Sequence, residues 1–146
     1  MAYHSVIVAI DISDDANKVL SKALELLRDK NSQLHLIHVI APLPATDSYD
    51  LTPTLPLEFE NILMQRAEDF ISQLAKEHRN ANISTHVKLG SLKAEIFSLA
   101  EQISADLIVL GTHGQHGIAL LLGSSATSVL HGTPCDVLAV RVGDKA

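Results

Sequence analysis

The sequence SVIVAI at residues 5–10 is an unbroken and largely β-branched apolar run. Such a run is typical of a parallel β-strand that is buried on both faces. The run ends at Asp11, and apolar residues then recur at helical spacing from position 16 to position 27. Ser13 is predicted to cap this helix, and the two aspartates that follow it are predicted to lie in the first turn. The start of the chain therefore predicts a buried strand followed by an amphipathic helix.

The same alternation of strand and helix continues through the rest of the chain. A proline-rich stretch at residues 41–56 predicts a loop between the second strand and the second helix. Further strands are predicted at residues 34–40, 83–89, 106–110 and 136–142, and further helices at residues 59–74, 91–103 and 124–131. Strands that alternate with helices indicate a parallel sheet with helices on both faces. The sequence thus predicts a single domain over residues 1–146, with a Rossmann-like α/β fold in which five parallel strands form the middle layer of a three-layer sandwich.

Composition excludes several classes of protein. The chain has 146 residues, of which 47% are hydrophobic and 19% are charged, and this excludes a disordered or fibrous chain. Its net charge of −6, with no basic run, argues against nucleic-acid binding, and no apolar run is long enough to cross a membrane. A single cysteine excludes an internal disulfide, and the N-terminus does not read as a signal peptide. We therefore expect a cytoplasmic protein that binds neither nucleic acid nor membranes.

A glycine-rich stretch follows the fourth predicted strand. From Gly111 to Cys135 the chain contains no Asp, Glu, Lys or Arg. Glycines let backbone N–H groups approach an anion, and Gly123, Ser124 and Ser125 begin the next predicted helix, whose N-terminus favours negative charge. The stretch is not a P-loop, because the spacing and the lysine of that motif are both missing. It indicates either a phosphate site or tight turns at the end of a strand.

Five short motifs, in their order, make the chain resemble the universal stress protein family of the UspA type over its whole length. The motifs are VIVAID at residues 6–11, LIHV at 36–39, DLIVLGTHG at 106–114, LLGSSATSVL at 121–130 and PCDVLAV at 134–140. The resemblance implies a parallel sheet with the strand order 3-2-1-4-5. That order places the first and fourth strands side by side, so that the loops after them face each other across one crevice.

The nucleotide-binding members of this family carry the pattern G-x2-G-x9-G-[ST]. Gly111, Gly114, Gly123 and Ser124 fit it, except that the spacer at 115–122 has eight residues instead of nine. The resemblance implies that the ligand is ATP or a related adenine nucleotide, with or without Mg²⁺. It places adenine beside Ala9, Ile10 and Val39, the ribose near Asp11, and the phosphates among Gly111, His113, Gly114, Gly123, Ser124 and Ser125.

Two functions stay open at this point. The first is a stress-response signalling module that binds an adenine nucleotide. The second is a non-nucleotide-binding, dimeric stress protein that acts through protein–protein interaction, since members that hold no ATP depart from the pattern in this same spacer. The resemblance also implies a homodimer through the strand at residues 136–142, an apolar strand that the implied order leaves at a sheet edge.

The remaining candidate residues favour structural roles. His35 and His38 lie three apart on a predicted strand, so they point to opposite faces and cannot share a metal. His113 and His116 have no third ligand nearby in sequence, and Cys135 has no basic neighbour that would make it a nucleophile. We therefore predict no metal site and no catalytic residue. A weak ATPase activity stays open, although the glycine-rich stretch has no carboxylate base and no lysine or arginine.

Overall fold

Five strands and three helices alternate along the part of the chain that the structure describes. The structure is a computed structural model, and it describes residues 3–41, 57–79, 81–112 and 132–142. The strands are β1 (Ser5–Ala9), β2 (Gln33–Ile40), β3 (Asn82–Leu89), β4 (Leu107–Gly111) and β5 (Asp136–Val140). The helices are α1 (Ala16–Glu25), α2 (Leu57–Lys76) and α3 (Leu92–Ile103). All five predicted strands, and the predicted helices that fall within these ranges, are confirmed.

The strands form one parallel sheet in the order β3-β2-β1-β4-β5. β1 lies at the centre, with Val8 paired to Leu36 of β2 on one side and to Val109 of β4 on the other. β3 and β5 are the two edges of the sheet. This order confirms the one that the family resemblance implies.

Helices cover both faces of the sheet. On one face α1 and α2 pack over alternate side chains of the strands, among them Val8 and Leu36. On the other face α3 packs over the intervening side chains, among them Ile7 and Ile37. All four of these side chains are fully buried. Because both faces of the central strands are buried, most residues of those strands are apolar, and His35 and His38 of β2 are buried polar exceptions.

The edge strand β3 is covered less completely than the strands beside it. On the face that points toward α3 it carries four polar residues, each exposed or half-buried: Asn82, Ser84, His86 and Lys88. Its apolar residues Ile83 and Val87 pack against the opposite core. The weaker apolar character of this strand predicts an edge position, and the sheet order confirms it.

A few element boundaries differ from the predicted ones. β5 ends at Val140 rather than at position 142, and β1 ends at Ala9 rather than at position 10. The N-cap of α1 is Asp15 and not Ser13, so the predicted cap is wrong. The Ser13 hydroxyl accepts a hydrogen bond of 3.3 Å from the Asp15 N–H, and the Ser13 carbonyl accepts one of 3.2 Å from the Ala16 N–H. Ser13 therefore closes a turn just before the helix, and the aspartates lie in that turn.

Several predicted features lie outside the described residues. They are the proline-rich loop after Ala41, the glycine-rich stretch from position 113 and the predicted helix at 124–131. Both loops begin at the carboxyl end of a described strand, β2 or β4. Within the described ranges no helix is long and apolar enough to cross a membrane.

Candidate functional site

A cavity of about 890 Å³ opens at the carboxyl ends of β1, β2 and β3. Its walls are formed by residues 11–13 after β1, residues 38–41 at the end of β2, residues 90–93 between β3 and α3, and Leu63 and Arg66 of α2. Small-molecule sites commonly have volumes of roughly 300–1,000 Å³. In an open parallel sheet, ligands bind outside the carboxyl ends of the strands, near the point where the strand order reverses, which in this sheet lies between β1 and β4. Size and position together make this cavity the candidate functional site.

A second cavity lies beside the first, between the ends of β1 and β4. Its volume is about 10 Å³, which is no more than one water molecule occupies. Ala9, Ile10 and Gly111 line it, while Asp11 and Ser13 line both cavities. The loop after β1 is therefore the wall that the two cavities share.

The structure places five of the predicted nucleotide-binding residues around these two cavities. Asp11 and Val39, which the resemblance assigns to ribose and adenine, line the large one. Ala9 and Ile10 line the small one, but each is only 1% exposed, so they support the wall from within the core and offer little surface to a ligand. Gly111 completes the small cavity. The other predicted phosphate residues lie outside the described ranges: His113, Gly114, Gly123, Ser124 and Ser125.

His38 forms part of the wall of the large cavity, and it also holds two strand ends together. Its Nδ1 lies 2.8 Å from the carbonyl oxygen of Ile10. A carbonyl oxygen only accepts hydrogen bonds, so Nδ1 carries the proton and donates. The residue is 7% exposed. The interpretation of His38 as a hydrogen-bonded strand histidine is confirmed, but its position beside Val39 in the cavity was not predicted.

Two basic side chains also line the large cavity. Arg66 projects from α2, and Lys93 lies in the first turn of α3, where its Nζ is 5.8 Å from the centre of the Phe97 ring. Neither side chain belongs to a strand end or to a glycine-rich loop, so no motif in the sequence marks it. The helical stripe of α2 would have placed Leu63 in the core, and it gives no sign that Arg66, three residues on, borders a cavity.

Gly90 shapes the wall where β3 passes into α3. Its N–H donates a hydrogen bond of 2.9 Å to the Ile40 carbonyl, and its φ of +153° is rarely adopted by residues with a side chain. A Cβ at this position would lie only 3.0 Å from Oε2 of Glu95. Ser91 then caps α3, because its Oγ accepts a hydrogen bond of 3.3 Å from the Ala94 N–H.

Thr112 forms hydrogen bonds that link the residue after β4 to the end of β5 and the residues that follow it. Its N–H donates to the Val140 carbonyl at 2.9 Å. Its hydroxyl accepts from the Val142 N–H at 3.2 Å and donates to the Val142 carbonyl at 3.4 Å. Val142 is 6% exposed and lines the small cavity. These bonds fix the position at which the loop leaves β4, and sequence reasoning did not find them because the partners are 30 residues apart.

Cys135 has the properties of a structural cysteine. It is half-buried, and burial together with the negative charges of Asp136 and Asp106 raises its pKa to about 11. The thiol is therefore protonated near neutral pH and is a poor nucleophile. This agrees with the interpretation drawn from the absence of a basic neighbour. Within the described ranges, no three or more His, Cys, Asp and Glu side chains are grouped so that they could hold a metal ion.

The fold and the cavity define the class of protein first: an α/β domain with a ligand-sized cavity at the carboxyl ends of a parallel sheet, beside the topological switch point between β1 and β4. Residues 2–141 match the universal stress protein family, and the chain belongs to that family. It is 35% identical over 142 residues to universal stress protein A homolog 2 of Coxiella burnetii, which covers 96% of each chain.

Two solved structures extend this comparison. The chain is similar to the universal stress protein UspA from Lactobacillus plantarum, with a TM-score of 0.69 and 26% identity over 97% of this chain and 100% of that one. It is also similar to a universal stress protein solved in complex with cAMP, with a TM-score of 0.55 and 26% identity. That match covers 96% of this chain and 98% of the other.

Proposed function

We propose that the protein binds ATP or a related adenine nucleotide in the large cavity and acts as a stress-response signalling module. One observation carries the proposal. Asp11 follows β1 and Val39 lies near the end of β2, 28 positions apart in sequence, yet they line one cavity of about 890 Å³. A carboxylate suits the hydroxyl groups of a ribose, and an apolar strand end suits a purine ring.

Two further observations support an adenine nucleotide as the ligand. The chain is similar at 26% identity to a universal stress protein that was solved with cAMP, which carries the same base and ribose as ATP. In addition, the stretch that begins at Gly111 has the glycines and serines of the family's nucleotide-binding pattern, with one residue fewer in its spacer. The proposal assigns the phosphates to this stretch, at His113, Gly114, Gly123, Ser124 and Ser125, because backbone N–H groups bind phosphate without a charged side chain.

In this proposal the protein binds the nucleotide as a signal and does not hydrolyse it or transfer its phosphate. Phosphoryl transfer requires groups that stabilise the charge on the moving phosphate, most often Lys, Arg or a metal ion. The stretch assigned to the phosphates contains no charged residue between Gly111 and Cys135. We therefore assign the protein a regulatory role. In the same proposal it acts in the cytoplasm, as a single domain over residues 1–146.

We also propose that the functional unit is a homodimer joined through β5. This strand is an edge of the sheet, and its residues Val137, Leu138 and Ala139 are half-buried or exposed in the single chain. Two copies of one edge strand related by a twofold axis pair antiparallel, and this pairing covers both edges.

The nucleotide proposal is tested by calorimetric titration of the protein with Mg-ATP and with cAMP. Asp11→Asn should weaken ATP binding roughly tenfold, because a hydrogen bond to a charged group is worth about 1.5–3 kcal/mol. Asp14→Asn is the matched control, since it removes the same charge from the same loop at an exposed residue that lines neither cavity. If neither ligand binds the unchanged protein, the proposal is wrong and the protein–protein interaction alternative takes its place.

A further inference from the structure

His35 and His86 form a direct imidazole pair on neighbouring strands. Nδ1 of His35 lies 3.0 Å from Nε2 of His86, and the two rings, 5.2 Å apart between centres, are inclined by only 27°. His35 is in register with Ser84, so His86 is its diagonal neighbour across the β2–β3 pair. The sequence predicts only that His35 and His38 point to opposite faces of their strand, whereas the sheet brings His35 beside a residue 51 positions away.

This pair lies apart from the candidate nucleotide site. Neither histidine lines the large cavity, which begins at the carboxyl ends of the same two strands. His35 is 9% exposed, while His86 is half-buried on the polar side of the edge strand. His86 therefore keeps part of its surface exposed to solvent. No part of the nucleotide proposal uses these two rings.

The facing nitrogens have the spacing of two neighbouring ligands of one metal ion. Metal–imidazole bonds are about 2.0–2.1 Å long, so two nitrogens 3.0 Å apart enclose an angle of roughly 95° at a shared ion. This is close to the right angle of tetragonal and octahedral coordination and is smaller than the roughly 109° of a tetrahedral site. The last torsion of a histidine side chain is broad, so each ring can turn toward a common ion at small energetic cost.

The protonation state of the pair also suits metal binding. Burial, and then the charge of His86, lowers the pKa of His35; burial, and then the charge of Lys88, lowers the pKa of His86. A lowered pKa favours the neutral imidazole, which is the form that binds metal ions.

We propose that His35 and His86 form a two-histidine site for a divalent transition-metal ion of tetragonal or octahedral preference, of the Ni²⁺ or Cu²⁺ class. Binding breaks the N–H···N hydrogen bond between the rings and forms two metal–nitrogen bonds. The ion loses two water ligands, and the proton that lay between the rings moves to the outer nitrogen of its own ring. Nothing is oxidised or reduced, and no net proton is released. Water completes the coordination shell, since no third side-chain ligand is grouped with the pair in the described ranges.

The test is a titration with Ni²⁺, followed by NMR of the histidine ring ¹⁵N nuclei and by calorimetry. Ni²⁺ stays divalent beside the free thiol, and because it is paramagnetic it broadens the signals of the nuclei nearest to it. We expect the His35 and His86 signals to broaden together, at the same metal concentration. His86→Gln should reduce the Ni²⁺ affinity of this site at least tenfold, because it removes one of two ligands while it keeps a hydrogen-bonding side chain beside His35.

Three controls separate this pair from four of the other six histidines. His4→Gln, His78→Gln and the double variant His113→Asn/His116→Asn should each leave the response of His35 and His86 unchanged. His35→Gln gives a second test of the pair if His86→Gln loses its thermal transition. The proposal is overturned if His35 and His86 do not respond to Ni²⁺, or if their response disappears in one of the three controls while the fold is intact.

Discussion

The backbone N–H of Thr112 donates a hydrogen bond of 2.9 Å to the carbonyl of Val140, and this bond shows which side of β5 faces the sheet. The N–H and C=O of one strand residue point to the same side, and those of the next residue point to the other. Val140 therefore directs its backbone groups toward β4. Ala139 directs its own toward the outer edge of the sheet, where the proposed dimer partner would pair.

Ala139→Pro should dissociate the proposed homodimer and leave the fold intact. Proline lacks the N–H that pairs with the second copy, while the bonds from β5 to β4 are made by the alternate residues. The measurement is the molar mass in solution by light scattering, together with the thermal transition. Val140→Pro is the matched control one residue away, and it should lower the Tm more than Ala139→Pro because it disrupts the β4–β5 pairing. A wild-type mass near 15.7 kDa would rule out the dimer.

Thr112→Val should reduce the free energy of unfolding by about 1–2 kcal/mol. The substitution keeps the shape of the side chain but removes the hydroxyl that bonds to both backbone groups of Val142. The Val142 N–H then loses its partner in a segment that is 6% exposed. Urea unfolding measures the effect, and Thr112→Ser, which retains the hydroxyl, should lose less. Equal stability of all three proteins would show that these bonds do not hold the end of β5 in place.

Alkylation of Cys135 should be slow at neutral pH and should continue to accelerate well above pH 9. Only the thiolate reacts, and burial with nearby carboxylates raises the pKa of this thiol from 9.0 to about 11. The rate should therefore rise about tenfold for each pH unit from about pH 7 to pH 10, since the thiolate fraction rises tenfold per unit below the pKa. Iodoacetamide labelling followed by mass spectrometry measures it at the only cysteine in the chain. A rate that levels off near pH 9 would contradict the raised pKa.

Gly123→Val should abolish ATP binding, because in the family pattern this glycine leaves space for the phosphates. The residue lies outside the described ranges, so the prediction depends on the sequence pattern alone. Gly132→Ala is the control, since a Cβ there would meet Phe97 at an ordinary distance of 3.9 Å. It should leave ATP affinity unchanged. Equal ATP affinity of the wild type and Gly123→Val would remove Gly123 from the phosphate site.

The strands and helices were predictable because each buries one face or both, and burial imposes a period on the sequence. β1 is apolar from Val6 to Ala9 because α1 lies on one side of it and α3 on the other. The prediction of Ser13 as the N-cap of α1 was wrong for a local reason. Serine favours the turn before a helix as well as the cap itself, and only the backbone of Asp15 decides between these positions.

The candidate site could be predicted from the sequence only where it coincides with strand ends. Asp11 and Val39 were identified because a resemblance assigns roles to the residues that follow β1 and end β2. The sequence did not identify Arg66, Lys93 or the His35–His86 pair, because the position of each depends on how separate elements pack. The distance between His35 and His86 is set by the β2–β3 register, and a shift of one residue would place His86 on the other face of the sheet.

The most direct test of the central claim, that an adenine nucleotide occupies the cavity between the ends of β1 and β2, is an NMR titration of the backbone amides with Mg-ATP. Saturable shifts should concentrate at Asp11, Val39 and Gly111, which lie at the carboxyl ends of three neighbouring strands and line the two adjoining cavities. The amides of Asp29 and His78, which lie at the opposite end of the sheet, should stay unchanged. Absent shifts at millimolar ATP, or shifts confined to residues outside the crevice, would contradict the claim.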